Sequence, residues 1–238
     1  MLLACVTLGA PAHLPYFATW ADHSRRIVEA SFGPRDILFD GMVSDPTSGD
    51  LSGEWTRSNL GAELDNTSGL TKLWIADDVS PHAIYGSLWF AQPLPLNGTV
   101  FTWSFLWDDD AVTAHDMNWW FPASKPNNTA YVDTGLTDPF YVWGINGWGG
   151  NRVGVERSDG GSSTWHCSPV ACGGMPGKPI TVTYYLLNGA QYLIVDGSLI
   201  GEYVDPRTVH ADGTHGFFAF SAYQSAFLVG RVTISKLL

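Results

Sequence analysis

The chain has 238 residues and a net charge of −11, with only twelve Lys and Arg against 23 Asp and Glu. So few basic groups argue against nucleic acid, whose binding needs phosphates neutralised, and against docking on anionic lipid, although a local basic pocket leaves a polyanionic substrate open. No run of roughly 18 apolar residues exists, so no membrane span is expected, while eleven Trp and 13% aromatic residues allow a large buried core.

Residues 1–35 differ from the rest. Leu2-Leu3-Ala4-Cys5 has the form of a lipoprotein lipobox, but neither a basic start nor a full apolar stretch precedes it, so the match reads as accidental. Residues 21–30, with Asp22, His23, Arg25, Arg26, Ile27 and Val28, form a short helical pattern before Gly33-Pro34. This segment reads as an N-terminal arm, processed or packed, and 36–238 as one folded domain, since no linker interrupts it.

From Ile37 the pattern is β throughout. Strand-like segments occupy 36–40, 53–59, 71–76, 83–90, 98–107, 115–121, 140–146, 151–157, 179–187, 190–196, 199–204, 214–222 and 226–236. Breakers separate them, among them Asp45-Pro46, Pro81, Pro93, Pro95, Asp138-Pro139, Gly149-Gly150 and Gly160-Gly161. Many short strands with regular turns predict an antiparallel two-sheet sandwich with less than about a tenth helix. Asn188-Gly189 and Asp196-Gly197 supply the φ > 0 residues of tight hairpins.

The closing strands carry a resemblance. Thr181-Val182-Thr183-Tyr184-Tyr185 leads to Leu193-Ile194-Val195-Asp196-Gly197-Ser198-Leu199-Ile200-Gly201, then to Gly216-Phe217-Phe218-Ala219-Phe220 and a last strand from Val229 to Ile234. This succession resembles the end of the concanavalin A-like (laminin G-like) jelly roll. Ile37-Leu38-Phe39-Asp40-Gly41, followed by Leu51 to Trp55, is similar to the opening phrase of sugar-active members of that superfamily, including the 3-keto-disaccharide hydrolase-like group and some fungal glucanases. The resemblance covers about a quarter of the chain and implies fold more than function, because one fold hosts many activities.

Strand alternation selects candidate ligand contacts. In 115–121, Asp116, Asn118 and Trp120 oppose His115, Met117, Trp119 and Phe121; in 151–157, Arg152, Gly154 and Glu156 oppose Val153, Val155 and Arg157. Tyr141 and Trp143 join the first face if the register allows. Asp116, Asn118, Trp120, Tyr141, Trp143, Arg152 and Glu156 suit a sugar, since rings stack on pyranoses while carboxylates, amides and Arg bond hydroxyls; the plain alternative is Trp in the core and charges in solvent. Trp148 and Trp165, flanked by Gly or polar residues in the segments 144–148 and 158–174, are further stacking candidates.

Asp108-Asp109-Asp110 suits either a solvated turn or calcium, a hard ion that takes several oxygens. The EF-hand pattern is absent, and calcium in this superfamily is usually structural. Cys167 and Cys172 enclose a short loop and are expected to form a disulfide, with Cys5 unpaired, which implies an oxidising compartment. Sequons at Asn66, Asn97 and Asn127 suit a secreted glycoprotein.

Hydrolysis on this fold needs two flanking carboxylates. The E-x-D-x-x-E strand of the retaining β-glucanases and the R-x-E-L and Q-[IV]-H strands of alginate-lyase-like members are absent. A carboxylate pair drawn from different strands, such as Asp116 with Glu156, stays open for a glycosidase; His115, His166, Tyr223 and Gln224 are available to a lyase, though their spacing does not select them. The expected function is therefore glycan recognition by a lectin-like sandwich, extracellular or on a cell or virion surface, with no required cofactor. The alternatives are a polysaccharide-degrading enzyme and a structural surface protein.

Overall fold

The computed structural model describes residues 34–44, 52–58, 70–74, 85–95, 97–107, 117–122, 140–145, 152–157, 162–166, 179–187, 190–204, 215–223 and 226–238. Save for Pro34, these belong to the compact unit Arg35–Leu238; of the N-terminal arm expected over 1–35, only Pro34 and Arg35 are among the described residues. Sixteen strands follow in chain order: β1 (Arg35–Gly41), β2 (Trp55–Ser58), β3 (Thr71–Trp74), β4 (Tyr85–Phe90), β5 (Leu94–Pro95), β6 (Thr99–Trp107), β7 (Met117–Pro122), β8 (Phe140–Ile145), β9 (Arg152–Arg157), β10 (Ser162–His166), β11 (Ile180–Leu187), β12 (Ala190–Val195), β13 (Ser198–Val204), β14 (His215–Gly216), β15 (Ala219–Tyr223) and β16 (Ala226–Leu237). Among the described residues there is no helix.

The strands build an antiparallel two-sheet sandwich. The first sheet runs β1-β16-β6-β11-β12-β13, with β3 also on β16; the second runs β10-β9-β8-β7-β15-β4-β2; β5 and β14 form a separate ribbon. Alternation explains the core between them. The first sheet sends in Phe101, Trp103 and Phe105 from β6, Val182, Tyr184 and Leu186 from β11, and Leu193 and Val195 from β12. The second sends in Met117, Trp119 and Phe121 from β7, Tyr141, Trp143 and Ile145 from β8, and Val153 and Val155 from β9. Trp119 stacks on Trp143 with centroids 6.0 Å apart, and Trp103 meets Trp119 edge-on at 5.2 Å.

Three local devices keep the strands in phase. Val229 faces Phe105 while Val232 faces Trp103, so β16 carries one extra residue and both valines stay in the core. Gly230 sits at that bulge, where a Cβ would collide with Ser104 Oγ. Leu187 pairs with Ala190, leaving two residues for the β11–β12 connection, and Val195 pairs with Ser198. At that second turn Asp196 (φ 46°) and Gly197 (φ 79°) are both left-handed, as a type I′ hairpin requires. Thr181 N donates to Asp196 Oδ1 and Asp196 N to Thr181 O, each at 2.8 Å.

Two expectations need correction. The strand placed over 214–222 is two strands in different sheets, because His215 and Gly216 pair with β5 whereas the chain from Phe218, whose carbonyl accepts from Phe90 N at 2.9 Å, runs beside β4. The segment 158–174 is not wholly a loop: β10 lies within it and pairs with β9 from Ser162–Glu156 to His166–Arg152. Trp165 therefore occupies a strand position opposite core Val153 rather than a loop tip.

Candidate functional site

Cross-strand register converts the outer face of the second sheet into levels of aligned residues. One level runs Ser58, Ser87, Ser221, Asn118, Gly144, Gly154 and Thr164 across β2, β4, β15, β7, β8, β9 and β10. The next runs Thr56, Trp89, Ala219, Trp120, Val142, Glu156 and Ser162. On the other side of the first level, Tyr85 pairs with Tyr223, and Arg152 with His166. This face thus carries the polar residues, while the neighbouring alternation fills the core.

Trp89 and Trp120 meet over Ala219, the small residue between them, with centroids 6.0 Å apart at 61°. Both indoles are on the outer face yet buried, at 1% and 2% exposure, and Val142 and Phe217 pack on them. Trp120 therefore supports the face from within; it does not present an open ring. Asn118 and Ser221 are buried beside it, and Ser221 Oγ makes no hydrogen bond.

The expected site residues divide three ways. Asn118 and Trp120 share the outer face, and positions 152 and 156 belong to the same alternation through Gly154. Tyr141 and Trp143 are corrected: both rings lie between the sheets, 3% and 0% exposed. Trp143 is held there because its Nε1 donates to Gln191 Oε1 at 2.6 Å, an acceptor that Tyr184 Oη also uses at 2.6 Å. Asp116, Trp148, Asp108, Asp109, Asp110, Cys167 and Cys172 lie outside the described residues, and with them the calcium and disulfide expectations. Among the described residues no group of three His, Cys, Asp or Glu could hold a metal ion.

Sequence reasoning missed Trp89, Ser221 and the place of His166. Only register reveals these, since Ser221 and Asn118 are distant in sequence and adjacent in the sheet. Register also bears on chemistry. Tyr223 on β15 and Arg152 on β9 are separated by β7 and β8, about 14 Å at the usual strand spacing. Among the described outer-face positions Glu156 is the one carboxylate residue; its expected partner, Asp116, lies outside them.

No family model matches the chain, and no curated protein does. Solved structures match in fold. A Bacillus subtilis protein of unknown function with a galectin-like fold has 10% identity and a TM-score of 0.62, over 87% of this chain and 100% of that one. The carbohydrate binding module CBM66 from Bacillus subtilis has 10% identity and a TM-score of 0.52, over 76% and 94%. An endo-β-galactosidase from Clostridium perfringens that releases GlcNAcα1-4Gal has 11% identity and a TM-score of 0.58, over 86% and 63%. At such identities the likeness shows the fold alone, a galectin-like β-sandwich.

Proposed function

We propose that the chain recognises carbohydrate through the outer face of its second sheet. The observation that carries this reading is the segregation of that face. Asn118, Ser221 and the positions of Arg152, Glu156, Thr164 and His166 fall on one alternation, backed by the Trp89–Trp120 pair. The likeness to a carbohydrate binding module supports the same reading.

We place the contact region toward β9 and β10, away from the buried Trp89–Trp120 pair. An extracellular, cell-surface or virion-surface location accords with this role, and neither a metal nor a cofactor enters it. Among the described residues no helix is long and apolar enough to cross a membrane.

The likeness to an endo-β-galactosidase keeps hydrolysis as the rival reading. A glycan array, read beside reducing-end and unsaturated-product assays on the same polysaccharides, separates the two. The proposal expects saturable binding without product. Product from any bound polysaccharide would replace it with an enzyme, and binding to none with a structural role.

A further inference from the structure

Of the three Asn-x-Ser/Thr triplets in the chain, Asn97-Gly98-Thr99 falls among the described residues; Asn66 and Asn127 lie outside them. It stands between β5 and β6, where the chain enters the first sheet. The two ends of the triplet differ sharply. Asn97 is exposed, whereas Gly98 and Thr99 are buried, Thr99 to 0% exposure.

The burial of Thr99 has a local cause. Its hydroxyl donates to Pro95 O at 2.5 Å and closes the turn. Its backbone lies between two ladders, opposite Leu186 of β11 and Lys236 of β16. Gly98 N donates to Leu186 O, and Leu237 N donates to Gly98 O, each at 2.8 Å. Gly98 has φ 80°, in the left-handed region that glycine enters without steric cost. The turn is thus tied to β5, β11 and β16 at once, with the Asn97 side chain left at the surface.

A transferase that builds N-linked glycans needs both the amide and the hydroxyl of such a triplet. Resting on the extracellular location in the reading above, and not on what the protein binds, we infer that Asn97 carries an N-linked oligosaccharide, attached before this turn closes. The donor class is an oligosaccharide lipid diphosphate. Asn97 Nδ2 bonds to the sugar C1 and gives up a proton; the C1–O bond to the diphosphate breaks, and the lipid diphosphate leaves with the electron pair. The folded turn hides the Thr99 hydroxyl, so the acceptor is readable in the open chain alone. Once the turn forms, the exposed position of Asn97 keeps the bulky, hydrophilic glycan in water.

Cell-free translation behind a cleavable secretion signal, with microsomal membranes present, tests the site in an Asn66→Gln/Asn127→Gln background. A glycosidase-sensitive mass increase of one oligosaccharide is expected, assigned to Asn97 by peptide mass spectrometry and abolished by Asn97→Gln. If that background fails to fold, the same peptide-level assignment on the wild-type chain decides. A second arm tests the order of events. A single-subunit oligosaccharyltransferase with its lipid-linked donor is given either the purified folded protein or a synthetic peptide spanning 92–103. The peptide should be modified about tenfold or more faster, since opening the turn in the folded protein costs free energy. Unmodified Asn97 in translocated chains overturns the site; equal rates on peptide and folded protein overturn the order. Neither result bears on the glycan array, so failure here leaves carbohydrate recognition standing.

Discussion

Gln191 Oε1 accepts from two buried donors on opposite sides of the sandwich, Trp143 Nε1 and Tyr184 Oη. Gln191→Met keeps the volume and removes the acceptor that both donors share. Chemical denaturation should show a loss of about 2–4 kcal/mol, and adding Tyr184→Phe should recover part of it, a coupling that a double-mutant cycle reads directly. Burial, reinforced by nearby Tyr141, pushes the Tyr184 phenol well above its ordinary range. The unfolded chain therefore ionises this tyrosine first, near its ordinary value of about 10. Its contribution is complete below that pH and is lost as pH rises above it. Stability should fall as pH rises above about 10, and less steeply in Tyr184→Phe. At this scale the sequence was ambiguous. Trp143 and Trp120 are both tryptophans in alternating strands; what separates them is a glutamine 48 residues downstream of Trp143 and an alanine between two indoles, neither of which alternation alone can pair.

The Asp196-Gly197 turn shows where local sequence decides an element. Gly197 has φ 79° and nothing within 4 Å of an added Cβ, so substitution there meets only backbone strain. Gly197→Ala should destabilise by about 1–2 kcal/mol, the usual penalty for an L-residue in the left-handed region. Asn in place of Ala should cost less, since its side chain tolerates that region. Equal stability of all three in a denaturant titration would show that the turn does not set the register. Hairpins such as this were readable because their turn residues are chemically special. β10 was not, because Ser162-Ser163-Thr164-Trp165-His166 lies among glycines and serines and is strand only through its pairing with β9. The division of 214–222 was equally hidden: Gly216 to Phe220 reads as one strand until pairing shows Gly216 on β5 and Ala219 onward on β4 and β7.

At the scale of the whole molecule, the two-sheet sandwich of the described residues follows from a pattern that the sequence carries strongly, short alternating segments closed by turns. The site was legible only by halves. Alternation within β7 and β9 grouped Asn118 with Trp120 and Arg152 with Glu156, but which strands are neighbours, and at what register, depends on long-range pairing. The central claim is that glycan binds on the outer face of the second sheet, toward β9 and β10. Hydrogen–deuterium exchange with and without a saturating concentration of the tightest array ligand tests it most directly. The account predicts added protection in β7, β8, β9 and β10, with β6, β11, β12 and β16 unchanged; protection confined to those first-sheet strands, in a protein that still binds the glycan, would contradict it.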